Sequence, residues 1–326
     1  MMQFDRIQLG RQAKELGFVR DTFEKVSRLA DILQFMEQDE LLSQVLALKG
    51  GTAINLTIFD LPRLSVDIDL DFAKDATRDG MMADRKDVTS RIKKYMEAAG
   101  YRRSLKSKYY HALDSFVYEY KNAGGMKDNL KIEINYMLRT HVLPVSRRSV
   151  KLPWLDNKLT VLSVAPLEIY SSKIVALMNR TAPRDLYDVH NMLKFGLFDE
   201  SEQDLLRKCV VFYSAIGSEK IPTGFQFDQI SNVPQYRIKT DLLPVLRKNE
   251  RFNLKEAQSE ITEYLSGLLI PTADELAFWE QFRKGEYQPE LVFGQSPELE
   301  RVAHHAMAEW KCNKTQSRSK QDDLSL

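Results

Sequence analysis

Hydrophobic and polar residues alternate one by one in segment 64–72, which reads Leu-Ser-Val-Asp-Ile-Asp-Leu-Asp-Phe. A period of two is typical of an extended strand, because successive side chains of a strand point to opposite faces. Asp67, Asp69 and Asp71 therefore share one face of the strand, and the apolar residues between them share the other. The apolar face predicts packing on a core, and the acidic face predicts a site that needs a counter-charge.

The rest of the first half contains both periods. Between Phe23 and Met36 the apolar residues recur at helical spacing, whereas several later runs are short and strand-like. Gly124-Gly125 marks a hairpin between two of these runs. We predict helices at 4–16, 21–36, 52–59 and 85–98, and strands at 45–48, 64–72, 108–111, 115–121 and 130–136.

From Pro166 onward the pattern is helical. We predict helices at 166–178, 184–194, 202–213, 240–248, 254–268 and 273–284. The expected fold is α+β, with a mixed sheet and flanking helices in a domain at 1–165 and a mostly helical domain at 166–312. The polar segment 313–326 is expected to be disordered.

Composition narrows the class of protein. The 326 residues are 43% hydrophobic, enough for real cores, but no apolar stretch approaches the roughly 20 residues that span a bilayer. The N-terminus also lacks the apolar stretch of a secretion signal, so we expect a cytoplasmic protein without membrane contact. Two cysteines cannot build a disulfide framework or a cysteine-rich zinc site.

Local charge is more informative than the net charge of +1. Cations and tyrosines interleave at 102–110, and cations recur at 147–151. Either segment can hold the phosphates of an RNA or DNA strand. An edge strand blunted by lysines is the alternative, and it stays open.

The acidic strand predicts a metal site. Carboxylates a few ångströms apart repel each other, and a hard divalent cation with oxygen ligands relieves that repulsion. Asp67 and Asp69 have the spacing to bridge two such ions, and Glu133 on a later strand is the expected third carboxylate. Asp71 and Asp114 are weaker candidates. An EF-hand is excluded, because Phe72 stands where the calcium loop needs glycine.

Residues upstream of the aspartates suit a nucleoside triphosphate. Backbone N–H groups of Gly50 and Gly51, at the start of the Thr52 helix, are placed to cradle phosphates. Ser65 can donate to a phosphate oxygen, and Arg63 can form a two-pronged contact with one. With two divalent ions, these parts indicate nucleotidyl transfer.

A second charged cluster follows Pro166. Lys173 and Arg180 are two helical turns apart, and the next helix carries Asp185, Asp188 and Arg184, a candidate nucleotide-binding residue. Lys173 is a candidate for neutralising the β- and γ-phosphates, with Asp185 orienting Lys173 or a substrate hydroxyl. Ion pairing on a helix surface is the alternative for this segment alone.

In order, these motifs resemble the AbiEii/AbiGii toxin family of nucleotidyltransferases over about residues 40 to 293. The resemblance implies a polymerase-β-like nucleotidyltransferase domain with a helical domain behind it. It also implies the toxin of a bacterial toxin–antitoxin or phage-defence pair, opposed by a cognate antitoxin. The motifs are Gly50-Gly51-Thr52, Arg63-x-Ser65-x-Asp67-x-Asp69, Glu133, Lys173 with a later Arg180, and Arg184-Asp185-Leu-Tyr-Asp188.

The resemblance also implies roles for single residues. Asp67 and Asp69 would bind Mg²⁺ or Mn²⁺, Ser65 and Lys173 would contact the nucleotide phosphates, and Asp185 would be an essential acidic residue. The nucleoside monophosphate of an NTP would pass to an acceptor hydroxyl, at the 3′ end of tRNA or another RNA. The sequence departs from the family pattern in having Thr52 where serine is commoner.

Two alternatives remain. A nucleotidyltransferase of this kind can modify a protein or a small molecule instead of RNA. A non-catalytic protein that binds nucleic acid or a partner can also retain the fold, but such a protein would be expected to have lost part of the Asp67, Asp69, Glu133 and Lys173 set.

Overall fold

The computed structural model describes residues 4–154 and 158–323, with side chains through residue 317. The chain divides into two compact units. Unit 1 comprises the described residues of Met1–Arg139, Val145–Val164 and Leu242–Arg251, and unit 2 those of Thr140–Pro144, Ala165–Asp241 and Phe252–Leu326. The expected boundary near residue 165 matches the point where the chain passes from unit 1 to unit 2, between Val164 and Ala165. However, unit 2 also includes 140–144, before that boundary, and unit 1 also includes 242–251, after it.

Unit 1 contains one mixed sheet and its flanking helices. The helices are α1 (Arg6–Glu15), α2 (Arg20–Gln38), α3 (Leu42–Val45), α4 (Gly50–Ala53), which continues as a π-helical turn at Ile54–Ile58, and α5 (Arg78–Ala98). The strands are β1 (Leu46–Lys49), β2 (Asp67–Phe72), β3 (Arg102–Arg103), β4 (Lys108–Tyr109), β5 (Leu113–Lys121), β6 (Lys127–Asn135), β7 (Ser146–Ser149) and β8 (Thr160–Ser163).

The sheet order is β3-β5-β6-β2-β1-β8-β7, and β4 also pairs with β5. Strand β2 lies in the interior of the sheet, antiparallel to β1 and parallel to β6. Its apolar residues are almost fully buried, whereas Asp67 and Asp69 are half-exposed. The alternation predicted for the acidic strand is therefore present. One face of the sheet packs on the core, and the other carries the carboxylates.

The hairpin between β5 and β6 turns at the expected glycines. Gly125 has a φ of 82°, a left-handed conformation that favours glycine. The side chain of Asn122 accepts hydrogen bonds from the N–H groups of Gly124 and Met126. The resulting nine-residue strands set a long, fixed register from Leu113–Asn135 to Lys121–Lys127.

Unit 2 is helical. Its helices are α6 (Pro166–Asn179), α7 (Pro183–Lys194), α8 (Glu200–Gly217), α9 (Asp228–Ser231), α10 (Gln235–Arg237), α11 (Leu254–Leu268), α12 (Ala273–Arg283), α13 (Glu290–Phe293), α14 (Pro297–Val302) and α15 (Ala306–Asp323). Pro166 begins α6, and Thr272 caps α12 through a capping box with Glu275, both at the positions that the sequence predicts.

A buried carboxylate ties segment 140–144 to this unit. Glu168 accepts hydrogen bonds from the N–H groups of Val142 and Leu143 and from the hydroxyl of Tyr213, and its carboxylate lies 3.0 Å from Nδ1 of His141. Burial alone would raise the pKa of Glu168, but these donors outweigh it and hold the pKa below its ordinary value. The carboxylate stays ionised because several donors surround it.

Two expectations about elements were wrong. Segment 240–248 is not one helix: a π-helical turn at Ile238–Leu242 and a 3₁₀ turn at Leu243–Val245 precede Leu246, which pairs with Arg63. Segment 313–323 is helical as part of α15, and Lys311 in that helix donates to two carbonyls at the end of α8. Strands β7 and β8 were not predicted. Residues 324–326 lie outside the described part of the chain.

Among residues 4–154 and 158–323, none of the helices combines the length and the apolar composition of a membrane-spanning segment.

Candidate active site

The glycine turn after β1 touches the acidic strand directly. Gly50 has a φ of 65°, and a Cβ atom built there would lie 2.7 Å from Oδ2 of Asp69. A Cβ at Gly51 would lie 2.6 Å from Nη2 of Arg63 and 3.1 Å from Oγ of Ser65. Only residues without side chains allow the backbone to approach so closely. The Gly-Gly pair thus explains how the turn and the acidic motif become one site.

Thr52 fastens the turn to the acidic strand. Its hydroxyl donates to the backbone carbonyl of Asp67 and lies 2.9 Å from Oγ of Ser65. Thr52 is fully buried, whereas Ser65 is half-exposed. The departure from the commoner serine therefore preserves the hydroxyl, and that hydroxyl is used to position two neighbouring residues of the motif.

Arg63 lies beneath the turn and is only 2% exposed. Its Nη1 donates to the carbonyl of Leu64 at 3.0 Å, and its N–H donates to Oδ1 of Asn55 at 3.2 Å. Asn55 in turn donates to the carbonyl of Gly51 at 2.6 Å. The side chain predicted to contact a phosphate is packed inside the motif, and the backbone of Arg63 supports Gly51 through Asn55. Asn55 was missed in the sequence, because one asparagine in an apolar helix gives no distinct signal.

The predicted carboxylates meet on one face. Asp69 lies directly opposite Glu133 in the register of β2 and β6, and Asp67 lies opposite Lys131. Lys131 contacts Glu133 at 2.9 Å. Burial would lower the pKa of Lys131, but its hydrogen bond to Glu133 and the charges of Glu133, Asp67 and Asp69 outweigh burial and raise that pKa. An ammonium group is therefore one counter-charge that the protein itself supplies to this acidic face.

Asp71 and Asp114, the weaker candidates, have other partners. Asp71 is 3% exposed and pairs with Lys49 at 2.5 Å. Asp114 is fully buried on the core side of the sheet, where Arg85 donates two hydrogen bonds to it. Both carboxylates therefore have structural partners. The Lys49 pairing has a visible signal in the sequence, since a lysine directly precedes the glycine turn.

The donors present suit Mg²⁺ in part. Asp67 and Asp69 offer oxygen ligands on a half-exposed surface, and Mg²⁺ is commonly held by one or two carboxylates together with substrate phosphates. Glu133 is held by Lys131 in this structure. Within residues 4–154 and 158–323, no group of three or more His, Cys, Asp or Glu side chains is arranged to hold a metal ion. Asp67 and Asp69 are therefore of the residue type and exposure that Mg²⁺ binding requires, whereas Glu133 is engaged with Lys131.

The second cluster lies in unit 2, between α6 and α7. Lys173 is 9% exposed, and its Nζ lies 2.9 Å from Asp185 and 3.2 Å from Asp188. Arg180 donates to Asp185 at 2.7 Å. Burial would raise the pKa of Asp185, but Lys173 and Arg180 outweigh it and lower that pKa. These are buried ion pairs, unlike the solvated helix surface of the alternative interpretation.

Sequence comparison now adds to this geometry. The family model described as "Nucleotidyl transferase AbiEii toxin, Type IV TA system" matches residues 34–284, which is most of the chain and includes both charged clusters. The chain belongs to the AbiEii family. It is a nucleotidyltransferase toxin of the type IV toxin–antitoxin class, as the motifs predicted.

Structure comparison agrees with this fold. The chain is similar to MenT4, a nucleotidyltransferase toxin from Mycobacterium tuberculosis H37Rv, with a TM-score of 0.63 and 15% sequence identity. The match covers 96% of this chain and 99% of MenT4. At this identity the likeness extends to the fold, which confirms the predicted α+β class. No curated protein sequence matches the chain.

Arg184 completes the set of AbiEii motif residues. Its Nε donates to the carbonyl of Asp241 at 2.8 Å, and Arg237 binds both the carboxylate of Asp241 and the carbonyl of Thr181. These bonds hold the start of α7 against the segment near Asp241. The predicted contact of Arg184 with nucleotide stays a prediction.

Proposed function

We propose that this AbiEii toxin transfers a nucleoside monophosphate from an NTP to the 3′-terminal hydroxyl of an RNA, with tRNA as the leading acceptor. Mg²⁺ or Mn²⁺ is the proposed cofactor. A cognate antitoxin opposes the resulting block of growth. The observation that carries the proposal is the half-exposed Asp67/Asp69 pair, with Asp69 against the glycine turn at Gly50 and the backbone of Asp67 bound by Thr52.

The reaction forms a bond between the acceptor oxygen and the α-phosphorus and breaks the bond from that phosphorus to pyrophosphate. The protein needs to position groups and stabilise charge, and it forms no covalent bond itself. Bound to Asp67 and Asp69, a divalent ion would supply charge neutralisation for the attacking and leaving oxygens. Glu133 would add a ligand only if Lys131 released it.

The hydroxyl groups of Thr52 and Ser65 are proposed to orient the phosphates of the bound NTP. Thr52 fixes the backbone of Asp67 and the side chain of Ser65 with one hydroxyl group. Ser65 then presents its own hydroxyl at the half-exposed side of the motif. Gly50 lets the turn approach Asp69, and Gly51 lets it approach Arg63 and Ser65, more closely than any larger residue would allow.

Lys173 is the proposed partner of the β- and γ-phosphates. Its two carboxylate neighbours, Asp185 and Asp188, restrict the rotamers of its ammonium group. A cation fixed in this way loses less entropy on binding phosphate than a free surface lysine does. Asp185 acts here as a positioning residue for Lys173.

The test uses each labelled NTP with Mg²⁺ or Mn²⁺ and either total RNA or total protein. An Asp67→Ala/Asp69→Ala variant serves as the control. We expect label to enter RNA only with the intact aspartates. Label in protein would move the acceptor assignment to the protein-modifying alternative, and absence of label from every fraction with both metals would contradict transfer itself.

A further inference from the structure

The face of the sheet that carries the carboxylates continues beyond them as a cationic surface. Residues directly opposite each other in paired strands share a face. The register joins Asp69 to Glu133, Glu133 to Ser115, and Ser115 to Lys108, in one row across four strands. With strands about 4.8 Å apart, Lys108 lies on the order of 14 Å from Asp69.

The alternation of side chains along each strand places further cations on this surface. We name it the polar face; its cations are Arg102, Lys108, Lys121, Lys127 and Lys131. Lys108, Lys121 and Lys127 are exposed, and the side chain of Arg102 is 81% exposed. The cations therefore lie on an accessible surface that begins beside the catalytic carboxylates.

Ion pairing accounts for Arg102 and Lys131 of this surface but not for the other three cations. Lys121 lies directly opposite Lys127 in the hairpin, and like charges at such positions destabilise a sheet. Arg102 neutralises Glu119 at 2.8 Å. In the described residues, no acidic side chain lies within ion-pair distance of Lys108, Lys121 or Lys127, although Lys127 adds to the effect of Arg102 and Ser104 in lowering the pKa of Glu119. An anionic ligand would relieve the repulsion that these lysines create.

The register also divides the basic and aromatic segment 102–110. Lys108 and Arg102 lie on the polar face, whereas Arg103 packs over Tyr109 and Phe116 on the core side. Tyr109 therefore does not share the surface of the carboxylates. Phosphate binding, rather than base stacking by that tyrosine, is the interaction that this face offers.

We propose that the polar face binds the single-stranded end of the RNA acceptor, with Lys108, Lys121 and Lys127 contacting its phosphates and its 3′ end directed to Asp67 and Asp69. The inference rests on the proposed function, since it assumes an RNA acceptor. The choice of RNA as the ligand of the polar face follows from the opposite charges of phosphates and lysines and from the continuity of this face with Asp67 and Asp69. A terminal hydroxyl must reach the carboxylates, so the nucleotides before it need a path, and the polar face provides one.

The test measures the affinity of full-length protein for a fluorescein-labelled 12-nucleotide single-stranded RNA by anisotropy. The variant Lys108→Glu/Lys121→Glu/Lys127→Glu is compared with Lys86→Glu/Lys93→Glu/Lys94→Glu. The control lysines are exposed on α5, on the other side of the sheet, and change the net charge equally. Melting temperature and binding of a fluorescent NTP verify that both variants are folded.

We expect the polar-face variant to bind at least about tenfold more weakly at moderate salt, and the control to stay within about twofold of wild type. The slope of log affinity against log salt should fall by about 2, since each lost phosphate contact removes roughly 0.7 for a single strand. Equal weakening in both variants, or an unchanged slope, would overturn the inference.

Label transfer by wild type separates this inference from the proposed function. If wild type labels RNA while the polar-face variant binds and labels RNA normally, the inference fails and the proposed function stands. If wild type labels only protein, the assignment of RNA as the acceptor in the proposed function is wrong, whatever the polar-face variant does. A polar-face variant that keeps its RNA affinity but loses transfer to protein would assign the face to a protein acceptor.

Discussion

Replacing Gly50 by alanine should separate the stability of the glycine turn from its catalytic role. The new Cβ would lie 2.7 Å from Oδ2 of Asp69, well inside ordinary van der Waals contact. A contact near 3.4 Å requires the carboxylate to move by about 0.7 Å, and misplacement on the order of 1 Å can cost about 100-fold in rate. We therefore expect the rate of label transfer to fall roughly 10- to 100-fold.

A left-handed backbone also costs about 1–2 kcal/mol when the residue is not glycine. Gly50 has a φ of 65°, so this cost adds to the displacement of Asp69. Gly100 provides the matched control, because its φ is 81° but a Cβ there meets nothing within 4 Å. Gly100→Ala should lose a similar amount of stability, a few degrees in melting temperature, and keep its activity.

The assay combines initial rates of label transfer with thermal unfolding of wild type and both variants. The expected pattern is a lower melting temperature in both variants, with a loss in Gly50→Ala at least as large as in Gly100→Ala, but a rate defect confined to Gly50→Ala. Equal rates for the two variants at a temperature where both are folded would refute the idea that the turn fixes Asp69. A comparable rate loss in Gly100→Ala would assign the defect to backbone strain alone.

Three further outcomes can be checked in the same assays. Thr52→Ser should keep activity, because the hydroxyl remains. Thr52→Val should lose about 1–2 kcal/mol of unfolding free energy and most of the transfer rate. Equal behaviour of the two variants would contradict the role of the Thr52 hydroxyl in positioning Asp67 and Ser65. Asp71→Asn should destabilise the protein through Lys49, visible as a lower melting temperature, yet retain far more activity than variants of the other two aspartates; equal loss in all three would refute this. Lys173→Met should abolish transfer and shift acid unfolding to higher pH. In wild type the pKa of Asp185 is lower in the folded protein than in the unfolded chain, where it is about 4. The ionised carboxylate therefore stabilises the fold above about pH 4, and this stabilisation is lost as the pH falls through the folded pKa. An unchanged acid transition would show that Lys173 does not hold Asp185.

The acidic motif was predictable because its signals are local. Alternation fixed which side of β2 carries Asp67 and Asp69, and the Gly-Gly pair marked the turn. Parity along β6 also placed Glu133 on the right face. Alternation does not predict which side chain Glu133 contacts. In the structure Glu133 forms an ion pair with Lys131, two positions before it on the same strand.

Long-range pairing was not predictable. Segment 240–248 has helical spacing, yet the N–H of Leu64 donates to the carbonyl of Val245, and Leu246 pairs with Arg63. Tertiary hydrogen bonds outweigh a local preference of this size. The four-residue strands β7 and β8 are too short for alternation to distinguish them from loops.

Segment Leu242–Arg251 has a consequence for synthesis on the ribosome. It is the last part of unit 1 to be translated, and it supplies the bridge to Arg63 and a hydrogen bond from Lys248 to the carbonyl of Gly17. Domains fold as their residues emerge, so unit 1 cannot complete its structure until about three quarters of the chain has been made. We therefore expect nascent chains and prematurely terminated fragments that stop before residue 242 to be harmless to the cell that makes them, although they already contain every carboxylate of the acidic face.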